Sequence, residues 1–325
     1  MSQIELDAAI LAAFPAGSTV VSAVEQLNTN WSRGFRVDII EREELIGMAE
    51  AEYEGQLAMH LVIPDHTTKP TAWGFFQGDQ TKAWYLAPFR NLRAELPPLR
   101  SFLAIMQKMH RQSVSPTGKF GFHVTPYYGP PPMIVDWTDS WEIFWTREFR
   151  SGLAYVQRMR GENPELVEVA EEFLQKVVPR LLRPLQTGGR DIKPSLCHGD
   201  LWDGNIQMEI DTDRPVLFDP CSFFGHHEMD LQCMRGARYT IGLDFVELYK
   251  KEGDVSEPKE DFDDRNAMYA VRNDIMVAGM WPQWASLIDK AIEEMRRLLS
   301  KHPDGLAGFH GDLRPNEVVL ARRID

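Results

Sequence analysis

The stretch that most restricts how this chain can fold runs from His198 to Pro220. His198-Gly199-Asp200-Leu201-Trp202-Asp203-Gly204-Asn205 is followed by alternating Ile206 and Met208, and then by Val216-Leu217-Phe218-Asp219-Pro220. Two short apolar strands around a polar turn read as a hairpin, which places loop carboxylates at both of its ends. A lone His-Gly-Asp is commonplace in solvated loops. An asparagine five residues beyond the aspartate, followed at this distance by a strand and Asp-Pro, is far more specific. Phosphoryl transfer needs a carboxylate aimed at the acceptor hydroxyl and hard oxygen ligands for Mg²⁺. Asp200 fits the first need, and Asn205 with Asp219 fits the second.

The formal charge is -13, from 35 basic and 48 acidic side chains, which works against a nucleic-acid surface and favours a small cationic or magnesium-chelated partner. With 325 residues and 43% hydrophobic content, the chain can bury one large core or two modest ones. The apolar run from Ala8 to Phe14 is not expected to act as a secretion signal, because no basic residue precedes it and the first is Arg33. No apolar stretch approaches the roughly 20 residues that span a bilayer. A cytoplasmic protein with no membrane segment is expected. Cys197, Cys221 and Cys233 form neither a zinc pattern nor an even disulfide set, and read as buried small hydrophobes in a reducing compartment.

Phe35, Val37 and Ile39 alternate with polar residues, which predicts a strand; Asn28 to Gly34 would join it to an earlier one around Thr19 to Val24. Gly47 to His60 predicts a helix, and Thr71 to Gln77 and Lys82 to Ala87 predict two further strands. Beyond Pro88 the segments lengthen and turn helix-periodic. Leu99 to Met109, Leu166 to Val178 behind an Asn163-Pro164-Glu165 start, and Leu287 to Leu299 all carry apolar stripes. Ser113 to Trp145 is rich in proline, glycine and aromatic residues; it is either a functional loop or a flap sealing the helices. The expected architecture is α+β and two-lobed, with a sheet-rich lobe at 1–87 and a helical lobe at 88–325.

The catalytic stretch resembles the fructosamine/ketosamine kinase family of protein-ribulosamine 3-kinase type, relatives of aminoglycoside phosphotransferases within the protein-kinase-like fold. Trp202 behind His-Gly-Asp-Leu carries the resemblance, as does Phe223-Phe224-Gly225-His226-His227-Glu228-Met229-Asp230-Leu231. Ser115 to Phe122, Trp137, Trp141, Trp145 and Asp263 to Tyr269 extend it, so that it covers about Gly47 to Tyr269. The resemblance implies transfer of the ATP γ-phosphate to a sugar hydroxyl of a ketosamine, on a glycated amine or a glycated protein lysine. It implies Asp200 as the base, His198 as a brace of the catalytic loop, Asn205 and Asp219 as Mg ligands, and Asp230 as a support tying the loop to the helical lobe. Trp202, Phe120 and Trp137 would pack against the sugar. Glu52, Thr29, Asn30, Pro88 and Phe89 would face the nucleotide.

The small lobe departs from this pattern. Kinases of this fold pair a strand lysine with a helix glutamate. Glu52 resembles that glutamate, yet the first lysine is Lys69, downstream of it. Only Glu41-Arg42-Glu43-Glu44 stands where the third strand should be: either the strand is lost, or an arginine substitutes, with Arg36 and Arg42 as the candidates. Thr29-Asn30-Trp31-Ser32 also lacks a glycine for close backbone approach to phosphate. Two further readings follow: a weak or inactive kinase-fold protein that binds a sugar-amine, and a phosphotransferase acting on choline, an aminoglycoside or a similar hydroxylated amine. His310-Gly311-Asp312-Leu313-Arg314-Pro315-Asn316 repeats the tetrapeptide with Asn316 four residues after the aspartate and no following strand-Asp-Pro, and reads as coincidence.

Overall fold

The computed structural model describes residues 6–15, 35–40 and 46–316. The expected strand around Thr19 to Val24 lies outside the described residues, as do Thr29, Asn30, Arg42 and the charged stretch 41–44.

The N-terminal part is built on an antiparallel sheet in the order β1-β3-β2, formed by β1 (Phe35–Ile40), β2 (Ala72–Phe76) and β3 (Asp79–Pro88). The central strand explains the layering by its period of two. Ala83, Tyr85 and Ala87 cluster with Ala49 of α2 (Gly47–Val62) on one face. Trp84 and Leu86 cluster with Ile10 of α1 (Ala8–Ala13) on the other. The early apolar run is therefore a packing helix; Asp7 caps it by accepting from the Ala9 N–H at 2.9 Å.

The larger part is helical: α3 (Leu99–Gln112), α4 (Trp141–Arg160), α5 (Pro164–Leu182), α6 (Leu243–Glu252), α7 (Phe262–Met280) and α8 (Leu287–Lys301). Asn163 caps α5 by accepting from the Leu166 N–H at 2.9 Å, with Pro164 in the first turn. α7 is the central helix, packed against α4 and α8 and buried over most of its length. It carries two arginines into the core, and each is matched: Arg265 meets Glu228 at 2.8 Å, and Arg272 meets Glu148 at 2.7 Å. Removing one partner would leave an uncompensated buried charge, so both pairs constrain the packing.

Between the two parts lies a small sheet, β4-β6-β7, made by β4 (Leu92–Arg93), β6 (Ile206–Glu209) and β7 (Pro215–Leu217). Beside it β5 (Ser195–Cys197) pairs with β8 (Phe223–Gly225). The expected hairpin is thus β6-β7, and β5 and β8 hold its two flanking loops together. Residues 113–140 carry no helix and cross the helical part by isolated bridges, Phe120 to Thr138 and Gly121 to Phe224. Among the described residues no helix is long and apolar enough to cross a membrane.

Candidate active site

His198 to Asn205 forms the loop between β5 and β6, and Asp219 follows β7. Two features force these loops together. Gly199 has φ +82°, and a Cβ there would collide with the Cys221 carbonyl oxygen, so only glycine allows this approach. Asp230 binds the backbone from the other side, accepting from the His198 N–H at 3.0 Å and the Gly199 N–H at 2.8 Å, while His110 of α3 meets its other face at 2.9 Å. Burial pushes the Asp230 carboxyl up, but the hydrogen bonds from His110 and the Gly199 N–H outweigh it and hold the carboxyl below its ordinary range.

His198 is fully buried, and burial lowers its imidazole pKa. Nε2 lies 3.0 Å from the Phe218 carbonyl oxygen, and Nδ1 accepts from the Asp200 N–H at 3.3 Å. These partners fix a neutral ring protonated on Nε2, which spans the two loops. Asn205 closes the site: its Nδ2 donates to the Asp200 carbonyl at 2.9 Å, to Asp200 Oδ2 at 3.2 Å and to the Asp219 carbonyl at 3.3 Å. The fold therefore brings Asp200, Asn205 and Asp219 to one place.

Burial pushes the Asp200 carboxyl up to about 6; the Asp219 charge adds to this, while Tyr128, Asn205 and Trp202 pull it down by hydrogen bonds. Asp219 itself holds a left-handed backbone, φ +57°, a conformation that costs a non-glycine residue about 1–2 kcal/mol. A divalent cation fits this donor set. The Asn205 Nδ2 takes the amide's contacts within the loop, so that Oδ1 remains as a ligand atom, and two mutually repelling carboxylates stand beside it.

The nucleotide-side residues are more dispersed. Glu52 lies in the second turn of α2, which rests on the Asp219 loop where Gly55 meets the side chains of Pro220 and Ser222. Arg36 belongs to β1, opposite Ala87. Pro88 ends β3, and Phe89 is 39% exposed at the junction of the two parts. Arg90 anchors that junction to β6 through Glu209 at 2.7 Å, and to the carbonyl of Thr67 at 3.2 Å.

Of the three aromatic residues expected at the substrate, Trp202 is at the site: its ring lies against Gly204 and 5.8 Å from the Tyr239 ring, close enough to Asp200 to lower its carboxyl pKa. Trp137 lines a separate groove with Phe122 and Tyr127. Phe120 corrects the sequence reading, for it is 1% exposed and packs 5.4 Å from Trp141 in the helical core, away from both. Sequence reasoning missed Tyr128, which lies near Asp200 on the 113–140 segment and donates to Asn273 Oδ1, and Gln232, which donates to the Gly199 carbonyl at 2.7 Å. The aromatic richness of that segment was the only signal for Tyr128.

The family model for fructosamine kinase matches residues 20–281, most of the chain and all of this site. The chain belongs to the fructosamine kinase family. It is 37% identical over 114 residues to the ketosamine-3-kinase of Mus musculus, an overlap of 35% of this chain and 34% of that protein. Against the chloroplastic protein-ribulosamine 3-kinase of Oryza sativa subsp. indica, identity is 26% over 164 residues, 50% of this chain and 44% of the relative. The chain thus spans a third to under a half of the length of these curated relatives. Among solved structures, a Haemophilus somnus 129PT protein assigned as a fructosamine-3-kinase superposes with a TM-score of 0.62 at 18% identity, covering 82% of this chain and 83% of its own. The aminoglycoside phosphotransferase APH(4)-Ia gives 0.53 at 14% identity, covering 82% and 86%. Both likenesses speak for the fold alone, the two-lobed α+β kinase-like architecture.

Proposed function

We propose that this fructosamine kinase family chain transfers the γ-phosphoryl group of ATP to a sugar hydroxyl of a ketosamine, the adduct of a reducing sugar with an amine or a protein lysine. The observation that carries the reading is the convergence of Asp200, Asn205 and Asp219 around one point, held by buried hydrogen bonds from His198 and Asp230.

Asp200 orients the acceptor hydroxyl and accepts its proton. With a carboxyl at about 6, it is ionised at neutral pH, yet more basic than an ordinary aspartate, which suits a general base. Asn205 and Asp219 would hold Mg²⁺, which when bound neutralises charge on the phosphate oxygens. His198 keeps the Asp200 and Asp219 loops in register, and Asp230 ties them to α3 through His110. The nucleotide lies between the parts at 1–87 and 88–325, with Glu52 on one side and the half-exposed Phe89 ring beside the base. Trp202 restrains the catalytic carboxylate and offers its ring to the sugar.

The decisive measurement is ADP release with Mg-ATP and fructosyl-lysine. Turnover on the order of 1–100 per second, abolished by Asp200→Ala, is expected. A second reading, a binder of sugar-amines with little turnover, is favoured by the absence of any lysine before Lys69. Calorimetric binding of fructosyl-lysine without ADP release would replace the first reading by the second.

A further inference from the structure

The peptide plane just before the catalytic carboxylate is held by a buried relay that begins in the helical core. Gly199 contributes the carbonyl of this peptide and Asp200 its N–H, and a glycine at φ +82° offers little steric resistance to rotation of the plane. Two side chains oppose that rotation. His198 Nδ1 accepts from the Asp200 N–H at 3.3 Å, and Gln232 Nε2 donates to the Gly199 carbonyl at 2.7 Å. The Gln232 bond is much the shorter, so it carries most of the restraint.

Gln232 lies in the short 3₁₀ helix His227–Arg235, and its amide has a single orientation that satisfies its neighbours. Arg272 of α7 donates from Nη1 to Gln232 Oε1 at 3.3 Å. A guanidinium has no acceptor and a carbonyl no donor, so Oε1 must face Arg272 and Nε2 must face Gly199. Arg272 is directed in turn: Nη2 donates to Glu148 Oε2 at 2.7 Å, and its guanidinium carbon lies 5.3 Å from the centre of the Tyr128 ring. Glu148 of α4 uses its other oxygen to accept from the Ile134 N–H of the 113–140 segment. Glu148, Gln232 and Arg272 are each at most 2% exposed, so water does not compete for these bonds.

The Glu148–Arg272 pair alone would join α4 to α7. The added link through Gln232 ends instead on the peptide that carries Asp200. We propose that Gln232, oriented by Arg272, is a positioning residue for the reaction: it fixes the Gly199–Asp200 peptide plane so that the Asp200 carboxylate stays aimed at the acceptor hydroxyl. The inference rests on the reading of Asp200 as the general base and adds the residues that aim it. A displacement of about 1 Å at a reacting group costs on the order of 100-fold in rate. Because aim matters in the transition state, its loss lowers kcat and leaves KM in place.

Three variants of the full chain separate aiming from folding. Gln232→Met keeps the length of the side chain and removes the donor, whereas Gln232→Glu keeps a partner for Arg272 but sets an acceptor against the Gly199 carbonyl. Arg272→Lys keeps a positive charge opposite Glu148 but lacks the fork that also reaches Gln232. At a temperature where each variant is folded by urea titration, kcat with Mg-ATP and fructosyl-lysine should fall on the order of 10- to 100-fold, most for Gln232→Glu and least for Arg272→Lys. KM for both substrates should stay within about twofold of the native value. In both Gln232 variants the Asp200 amide should exchange with deuterium about tenfold faster, relative to the amides of α7, than in the native chain. Native kcat in folded Gln232→Glu, or a loss confined to KM, would overturn the proposal. If the native chain itself releases no ADP, the general-base reading fails, and the Asp200 exchange ratio decides the restraint by itself: faster exchange supports it and an unchanged ratio overturns it.

Discussion

The same tetrapeptide occurs twice in this chain, and the two copies have nothing in common beyond sequence. His198-Gly199-Asp200-Leu201 sits between two buried strands, with its histidine fully buried and its glycine at φ +82°. His310-Gly311-Asp312-Leu313 lies on the surface near the C-terminus, with His310 exposed and Gly311 outside the positive-φ region. Burial pushes the Asp200 carboxyl up to about 6, whereas the Arg314 hydrogen bonds hold Asp312 at about 2. The second copy serves a local purpose: Arg190 donates to the Asp312 carbonyl, and Asn316 accepts from the Gly189 N–H at 2.8 Å and donates to the Arg190 carbonyl, pinning the tail to the loop after α5. Side-chain identity is shared, and what differs is which backbone groups the surrounding fold brings within reach.

Paired substitutions can break this contrast. Gly199→Ala should cost about 3–4 kcal/mol in urea unfolding, because it combines an unfavourable backbone conformation with a collision against the Cys221 carbonyl. Gly311→Ala meets only the edge of the Phe309 ring and should cost less than about 1 kcal/mol. Similar losses at both sites would mean that the first loop is not held as described. Asp230→Ala, which strands two buried backbone N–H groups, should cost about 3 kcal/mol and lower kcat at temperatures where the variant is still folded.

Asp200→Asn should act in the opposite direction on stability. The folded-state carboxyl titrates at about 6, above its ordinary 3.8, so the fold favours the protonated form. Its contribution is fully present below about pH 4 and is lost as pH rises through 6. Replacing the charge should therefore raise unfolding stability by on the order of 2 kcal/mol at pH 8 with a chelator present, and change little at pH 4. A gain of equal size at both pH values would remove burial as the cause. The smallest effect belongs to Asn316→Ala, at about 1 kcal/mol of stability with ATP binding unchanged, read by urea unfolding and calorimetry.

Local signals were strongest where one residue type has one structural use. The alternation in β1, the Asn163 cap of α5 and the hairpin β6-β7 follow from periodicity and turn chemistry over a few residues. β4, only two residues long, and the β5-β8 pair carry no such signal, because they exist only where distant segments meet. The 113–140 segment shows the same limit. Its composition marked it as unusual, but Phe120 turned inward to Trp141 while Trp137 turned to the groove, a division set by the packing of α4 and β8 against it.

By itself the sequence determined that Asp200, Asn205 and Asp219 would come together, since the spacing of a strand hairpin leaves those side chains near one another. It also determined the helical content beyond Pro88 through the 3.6-residue periodicity of its apolar positions. Only the tertiary structure decided that Asp230 and His110 would clasp the His198–Gly199 backbone, that Tyr128 would pack near Asp200, and that the second His-Gly-Asp would stay outside. Hydrogen-bond partners more than a hundred residues apart in sequence are chosen by how the helices pack, and no short stretch encodes that choice.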